Sequence, residues 1–174
     1  MLEQWNKLLN TNCVVLKVAT HNVYPIFRVG STSLESACDH RYVNEEIQAC
    51  SNIEVMIREP EERFRSGVNE YCFQNKRNVL ETYSLIEHGK LHDRHFTPQY
   101  MWLLHLYKYY KGFITLRPFS HITNYTNIHK AKSMSDVAIP VCETFVAVDR
   151  YLTKYHNQTV NIGYLIKRYR NVLS

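Results

Sequence analysis

The chain has 174 residues and a mass of 20.7 kDa, enough for one domain that buries roughly 70% of the surface exposed when unfolded. Hydrophobic residues make up 45% and charged residues 21%, with only 5 Gly and 5 Pro, which excludes disordered, collagen-like and low-complexity classes. The 21 Lys and Arg against 16 Asp and Glu give a formal net charge of +5, which favours an anionic ligand or partner.

The opening MLEQWNKLLNTNC has no basic n-region followed by an uninterrupted apolar stretch, and no apolar run approaches the roughly 20 residues of a membrane span. A soluble, cytoplasmic chain without a membrane partner is expected. The five cysteines, Cys13, Cys38, Cys50, Cys72 and Cys142, include no C-x-x-C pair and read as reduced, mostly buried thiols. CVVLKVA (13–19) and VYPIFRV (23–29), separated by Thr20, His21 and Asn22, are rich in β-branched and aromatic residues and read as strands. Gly30 ends the second. Thr32-Ser33-Leu34-Glu35 then has the pattern of a capping box opening a helix, with Leu34, Ala37 and Cys38 at helical spacing.

IEVMI (53–57) reads as a strand covered on both faces. Pro60 suits the first turn of a helix, and Phe64, Val68, Tyr71 and Cys72 carry that helix to about Asn75. Further helices are predicted over 79–87 and 98–110, the latter capped by Thr97, and a fourth strand near 113–117. Val141, Phe145, Val148 and Leu152 predict a helix opened by Pro140, and Ile162 to Leu173 a closing one. No linker-like stretch or internal repeat divides 1–174, so a single domain is expected. Strands alternating with helices indicate a parallel α/β sheet. Lys and Arg are dispersed; their densest cluster, Lys167, Arg168 and Arg170, reads as the solvated face of the last helix, so nucleic acid is not the expected partner.

Two segments carry candidate chemistry. In 26–35, Ile-Phe-Arg-Val-Gly-Ser-Thr-Ser-Leu-Glu, a strand delivers Arg28 to the sheet edge and Gly30 allows a tight turn. Ser31, Thr32 and Ser33 then offer hydroxyls and N–H groups where a helix starts, a place that suits a phosphate or sulfate. The G-x-x-x-x-G-K-[ST] spacing of a Walker A loop is missing, which disfavours an ordinary nucleoside triphosphatase. In 57–67, Ile-Arg-Glu-Pro-Glu-Glu-Arg-Phe-Arg-Ser-Gly, Arg58 leaves the carboxyl end of its strand and Ser66 lies two turns into the next helix, so both can reach one phosphate. Lys130 and Lys132 lie in a polar stretch after the 113–117 strand. His40, Glu45, Glu46, His92 and His95 are candidate general bases. No Cys, His or carboxylate set has convincing metal-ligand spacing.

The succession R-x-G-S-T-S-L, then I-R-x-P-x-x-R-F-x-S-G after the next strand, resembles the sulfotransferases that use 3′-phosphoadenosine 5′-phosphosulfate (PAPS). The likeness extends to His95-Phe96-Thr97-Pro98-Gln99, similar to the H-x-x-P-Q of carbohydrate sulfotransferases, and to a late helix with an embedded acid, Phe145 to Leu152 around Asp149. The resemblance covers about 24–156. It implies a P-loop-NTPase-like parallel sheet flanked by helices and transfer of a sulfuryl group from PAPS to a hydroxyl acceptor, carbohydrate among the candidates, without a metal. It also implies a first loop, Arg28 and Gly30 to Ser33, on the 5′-phosphosulfate, and Arg58 and Ser66 on the 3′-phosphate. Arg28 departs from the Lys of many members, and the chain is short for a separate acceptor lobe. With that resemblance, Arg28, His40 and His95 are the catalytic candidates, and Lys130 and Lys132 join the donor set. The rival readings are a non-catalytic nucleotide- or anion-binding module of the same fold and a nucleic-acid-binding protein.

Overall fold

A computed structural model describes residues 2–127 and 137–170. Its elements form an α/β arrangement: a six-stranded mixed sheet in the order β3-β1-β2-β4-β5-β6, flanked by helices. The strands are β1 (Val14–Val18), β2 (His21–Tyr24), β3 (His40–Val43), β4 (Asn52–Ile57), β5 (Phe113–Pro118) and β6 (Gln158–Asn161). The helices are α1 (Leu2–Leu8), α2 (Ser31–Ala37), α3 (Pro60–Asn75), α4 (Val79–Glu87), α5 (Gln99–Tyr107), α6 (Glu143–Val146), α7 (Asp149–Leu152) and α8 (Ile162–Tyr169).

The expected parallel sheet is realised only at its centre. β2, β4 and β5 run parallel, whereas β1 lies antiparallel to both β2 and β3, and β6 antiparallel to β5. The cause is local: β1 and β2 are joined through Ala19 and Thr20 alone, with Ala19 at φ +53°, and a two-residue connection closes only an antiparallel hairpin. The strand predicted over 23–29 stops at Tyr24 for a related reason. Pro25 cannot donate to the sheet ladder, and the following residues turn, with Val29 N donating to the Ile26 carbonyl at 3.0 Å.

Residues Ile53 to Ile57 are buried throughout, as a strand covered on both faces requires. α3 and α4 occupy the predicted ranges, and Glu59 caps α3 by accepting from the Glu61 and Glu62 amides. One helix predicted after Pro140 is instead two short ones, α6 and α7, turned at Ala147 and Val148. This brings Phe145 edge-on to Trp5 of α1, ring centres 5.2 Å apart, within a cluster that includes Phe64 and Phe96. Among the described residues no helix is long and apolar enough to cross a membrane.

Since β2 and β4 are adjacent and parallel, the chain leaves both at the same edge of the sheet. Residues 25–30 and Arg58 therefore meet at the carboxyl ends of the central strands, where open α/β sheets hold ligands.

Candidate anion-binding site at the carboxyl edge of the parallel strands

The two segments singled out by the sequence are joined by direct hydrogen bonds. Arg28 Nε donates to Ser66 Oγ at 2.9 Å, and a terminal nitrogen of Arg58 donates to the Arg28 carbonyl at 3.0 Å. Glu70, one turn beyond Ser66 on α3, stands 3.8 Å from Arg28, and the Arg58 guanidinium lies 5.3 Å from the centre of the Phe119 ring. Arg28 has φ +65°, a left-handed conformation costing a non-glycine residue about 1–2 kcal/mol. The bond from its side chain to Ser66 and the bond to its carbonyl from Arg58 hold it there. Such outliers concentrate where a loop must present groups in one geometry.

Gly30 serves the same turn. At φ +76° it precedes α2, and a Cβ there would stand 2.0 Å from Ile122 Cδ1, so the loop packs against the segment after β5 only because the residue is glycine. The capping box predicted for Thr32 and Glu35 does not form. Gly30 is itself the cap residue, without a side-chain bond, and Thr32 is already inside the helix. Leu34 N donates to the Gly30 carbonyl, so the amides of Ser31, Thr32 and Ser33 precede the first intrahelical bond. Ser31 is half-buried, Thr32 exposed and Ser33 buried.

Beneath the loop lies Arg63, 2% exposed. It donates to the Phe27 carbonyl at 3.0 Å and to the Thr97 carbonyl at 2.5 Å, tying the Arg28 loop to the segment that enters α5. Burial lowers its pKa to about 10, opposed by Asp149 and assisted by Arg58 and Arg28, so at neutral pH it adds a third positive charge beneath the site.

A buried polar chain fixes Arg58 from behind. Gln99 Oε1 accepts from the Arg58 amide and Gln99 Nε2 donates to the Arg58 carbonyl, both at 2.9 Å, so the side-chain amide pairs with the strand end as a neighbouring strand would. Asp149 accepts from the Gln99 and Tyr100 amides at 2.7 and 2.9 Å and thereby caps α5, a role predicted for Thr97. Thr97 instead turns its hydroxyl to the Asp93 carbonyl. Burial raises the Asp149 carboxyl to about 6 despite the two amides and Arg63.

The structure separates the histidine candidates. His95 Nδ1 lies 2.5 Å from Asp93 Oδ1, its ring meets Phe27 at 5.5 Å, and its carbonyl lies against Gly67, the neighbour of Ser66. Burial alone would raise the Asp93 carboxyl, but hydrogen bonds from the His95 ring and amide pull it below its ordinary value. His40 is exposed on the edge strand β3 opposite Lys17, at the other end of the sheet, with its ring edge-on to Tyr42. Glu45 and Glu46 follow β3, and His92 stacks on Phe145 with Nδ1 buried. Lys130 and Lys132 lie outside the described residues. Two open cavities lie away from Arg28, Arg58 and Arg63, one of about 400 Å³ over Asn75 to Leu85 and one of about 490 Å³ between α1 and residues 90–94.

Comparison with protein-family models, with curated proteins and with solved structures finds no match. Sequence reasoning did not assign Arg63 or Gln99 a place at the site. Arg63 stands inside the second motif and Gln99 inside the H-x-x-P-Q string, but only the fold shows that both act on backbone groups of neighbouring segments.

Proposed function

We propose that this chain is a PAPS-dependent sulfotransferase built on a P-loop-NTPase-like core, passing a sulfuryl group to a hydroxyl acceptor, for example on a carbohydrate. The observation that carries the reading is the Arg28–Ser66 bond with Arg58 on the Arg28 carbonyl. It joins at one point the two segments whose residue pattern resembles the donor-binding motifs of that family.

In this reading Arg58 and Ser66 hold the 3′-phosphate, while Arg28 and the Ser31 to Ser33 amides face the 5′-phosphosulfate. The acceptor oxygen forms a bond to sulfur as the bond from sulfur to the bridging phosphate oxygen breaks, and adenosine 3′,5′-bisphosphate leaves. Negative charge grows on that bridging oxygen, so Arg28 and the amides contribute most in the transition state. The acceptor proton goes to a base. His95 suits that role, because Asp93 engages Nδ1 and leaves Nε2 to accept it.

The test incubates the protein with PAPS and a panel of hydroxyl acceptors and follows adenosine 3′,5′-bisphosphate together with the mass of each acceptor. Acceptor-dependent bisphosphate release with a gain of one sulfuryl group is expected. Tight binding of the bisphosphate with no release for any acceptor would favour a non-catalytic nucleotide-binding module instead.

A further inference from the structure

The net charge of the chain is not spread over it. Of the 21 Lys and Arg, five follow residue 149, whereas none of the 16 Asp and Glu does. The first 149 residues are therefore balanced, and Arg150, Lys154, Lys167, Arg168 and Arg170 account for the whole +5. Arg150 is engaged by Glu143 at 2.6 Å and Glu61 at 3.1 Å. Lys154, Lys167 and Arg168 are exposed and make no ion pair among the described residues. The neighbouring α5 and β6 contribute no acid.

Tyrosines are set among these cations. Tyr164 is 53% exposed, and Arg168, one turn further along α8, donates to its hydroxyl at 3.3 Å. Tyr151, 37% exposed, stacks on Tyr169 with ring centres 5.1 Å apart and planes at 27°, and Lys154 Nζ lies 4.9 Å from its ring centre. The apolar side of α8, Ile162, Leu165 and Ile166, is buried in the core, so this helix has no apolar face left to insert into a bilayer. Cations without an acidic partner among the described residues, interleaved with exposed aromatic rings, complement a flexible polyanion whose own planar groups can stack.

We infer that the α7–α8 face binds single-stranded nucleic acid, with phosphates on Lys154, Lys167 and Arg168 and a base on the exposed ring of Tyr164. This surface does not depend on the donor reading. The scatter of basic residues along the sequence made nucleic acid the less expected partner; the absence of acids after residue 149 is what supports it in this inference.

The test is fluorescence anisotropy of a labelled oligothymidylate of about 12 nucleotides with the full chain, from about 50 to 200 mM salt. Three phosphate contacts predict a log–log salt slope of about −2, and Arg168→Ala should make it shallower by about 0.7. Tyr164→Ala should weaken binding roughly fivefold or more while Tyr164→Phe retains it, and the Tyr164→Ala loss should vanish on an abasic strand of equal length. Thermal unfolding checks that the variants stay folded. Absence of binding, or equal affinity for dextran sulfate with no effect of Tyr164→Ala, would overturn the inference.

Discussion

Asp149 offers a test that isolates one buried group. Its carboxylate is almost wholly enclosed and caps α5 through two amides, yet burial outweighs them and Arg63 and raises its pKa from 3.8 to about 6. A group that binds its proton more tightly in the folded state contributes stability that is fully present below the unfolded pKa and lost as pH rises through the folded one. A shift of this size corresponds to about 3 kcal/mol, withdrawn progressively between about pH 4 and pH 6. Other groups titrate as well, including His105, whose pKa burial holds below its ordinary value. Comparison with Asp149→Asn removes them: the variant cannot ionise, so the difference in unfolding free energy between parent and variant contains only Asp149. Urea titrations at half-unit pH intervals should show that difference, parent minus variant, falling by about 2–3 kcal/mol from pH 4 to pH 7. A difference that rises with pH would mean that the α5 amides and Arg63 outweigh burial, and a constant one that Asp149 does not change its ionisation on folding.

Three further outcomes follow from the same geometry. If the chain is a sulfotransferase with Arg28 at the bridging oxygen, Arg28→Ala should reduce sulfuryl transfer far more than affinity for adenosine 3′,5′-bisphosphate, because the charge it would face grows only during transfer; equal losses in steady-state kinetics and calorimetry would count against that role. Gln99→Leu should weaken binding of 3′-phosphorylated nucleotides more than that of nucleotides lacking the 3′-phosphate, since it strips the Arg58 amide and carbonyl of their 2.9 Å partners; equal weakening would make Gln99 a packing residue only. Gly67→Ala places a Cβ 2.0 Å from the His95 carbonyl and should lower stability by about 1–3 kcal/mol in urea, whereas an unchanged midpoint would contradict the close approach of α3 to the 95–97 segment.

The long amphipathic and apolar stretches were legible in the sequence. α3 and α4 follow their periodicity residue for residue, and β4 is the continuous apolar run that a doubly covered strand requires. What escaped was short, polar or dependent on distant partners. β3, His-Arg-Tyr-Val, and β6, Gln-Thr-Val-Asn, lie at the two edges of the sheet and show too little apolar alternation to stand out. The antiparallel direction of β1 was concealed because assigning Ala19 to the first strand masked a two-residue hairpin. At the site, Arg28, Arg58 and Ser66 were readable because one side chain each carries the pattern. The cap of α5 was not, because Asp149 reaches it from 50 residues away. His40 and His95 looked equivalent as sequence; sheet register separates them, since β3 begins at the edge opposite the arginines.

The donor clamp is tested most directly by calorimetric titration of the parent, Arg58→Ala and Ser66→Ala with adenosine 3′,5′-bisphosphate and with adenosine 5′-monophosphate. If Arg58 and Ser66 grip the 3′-phosphate, each contact is a charge-assisted hydrogen bond of about 1.5–3 kcal/mol. Arg58→Ala should then weaken the bisphosphate roughly tenfold to a hundredfold or more, and Ser66→Ala less. With the monophosphate most of that difference should disappear, because parent and variant then lack the same interaction. Equal weakening of both nucleotides by Arg58→Ala would assign that arginine to holding the Arg28 loop alone and contradict the sulfotransferase reading at its most specific point.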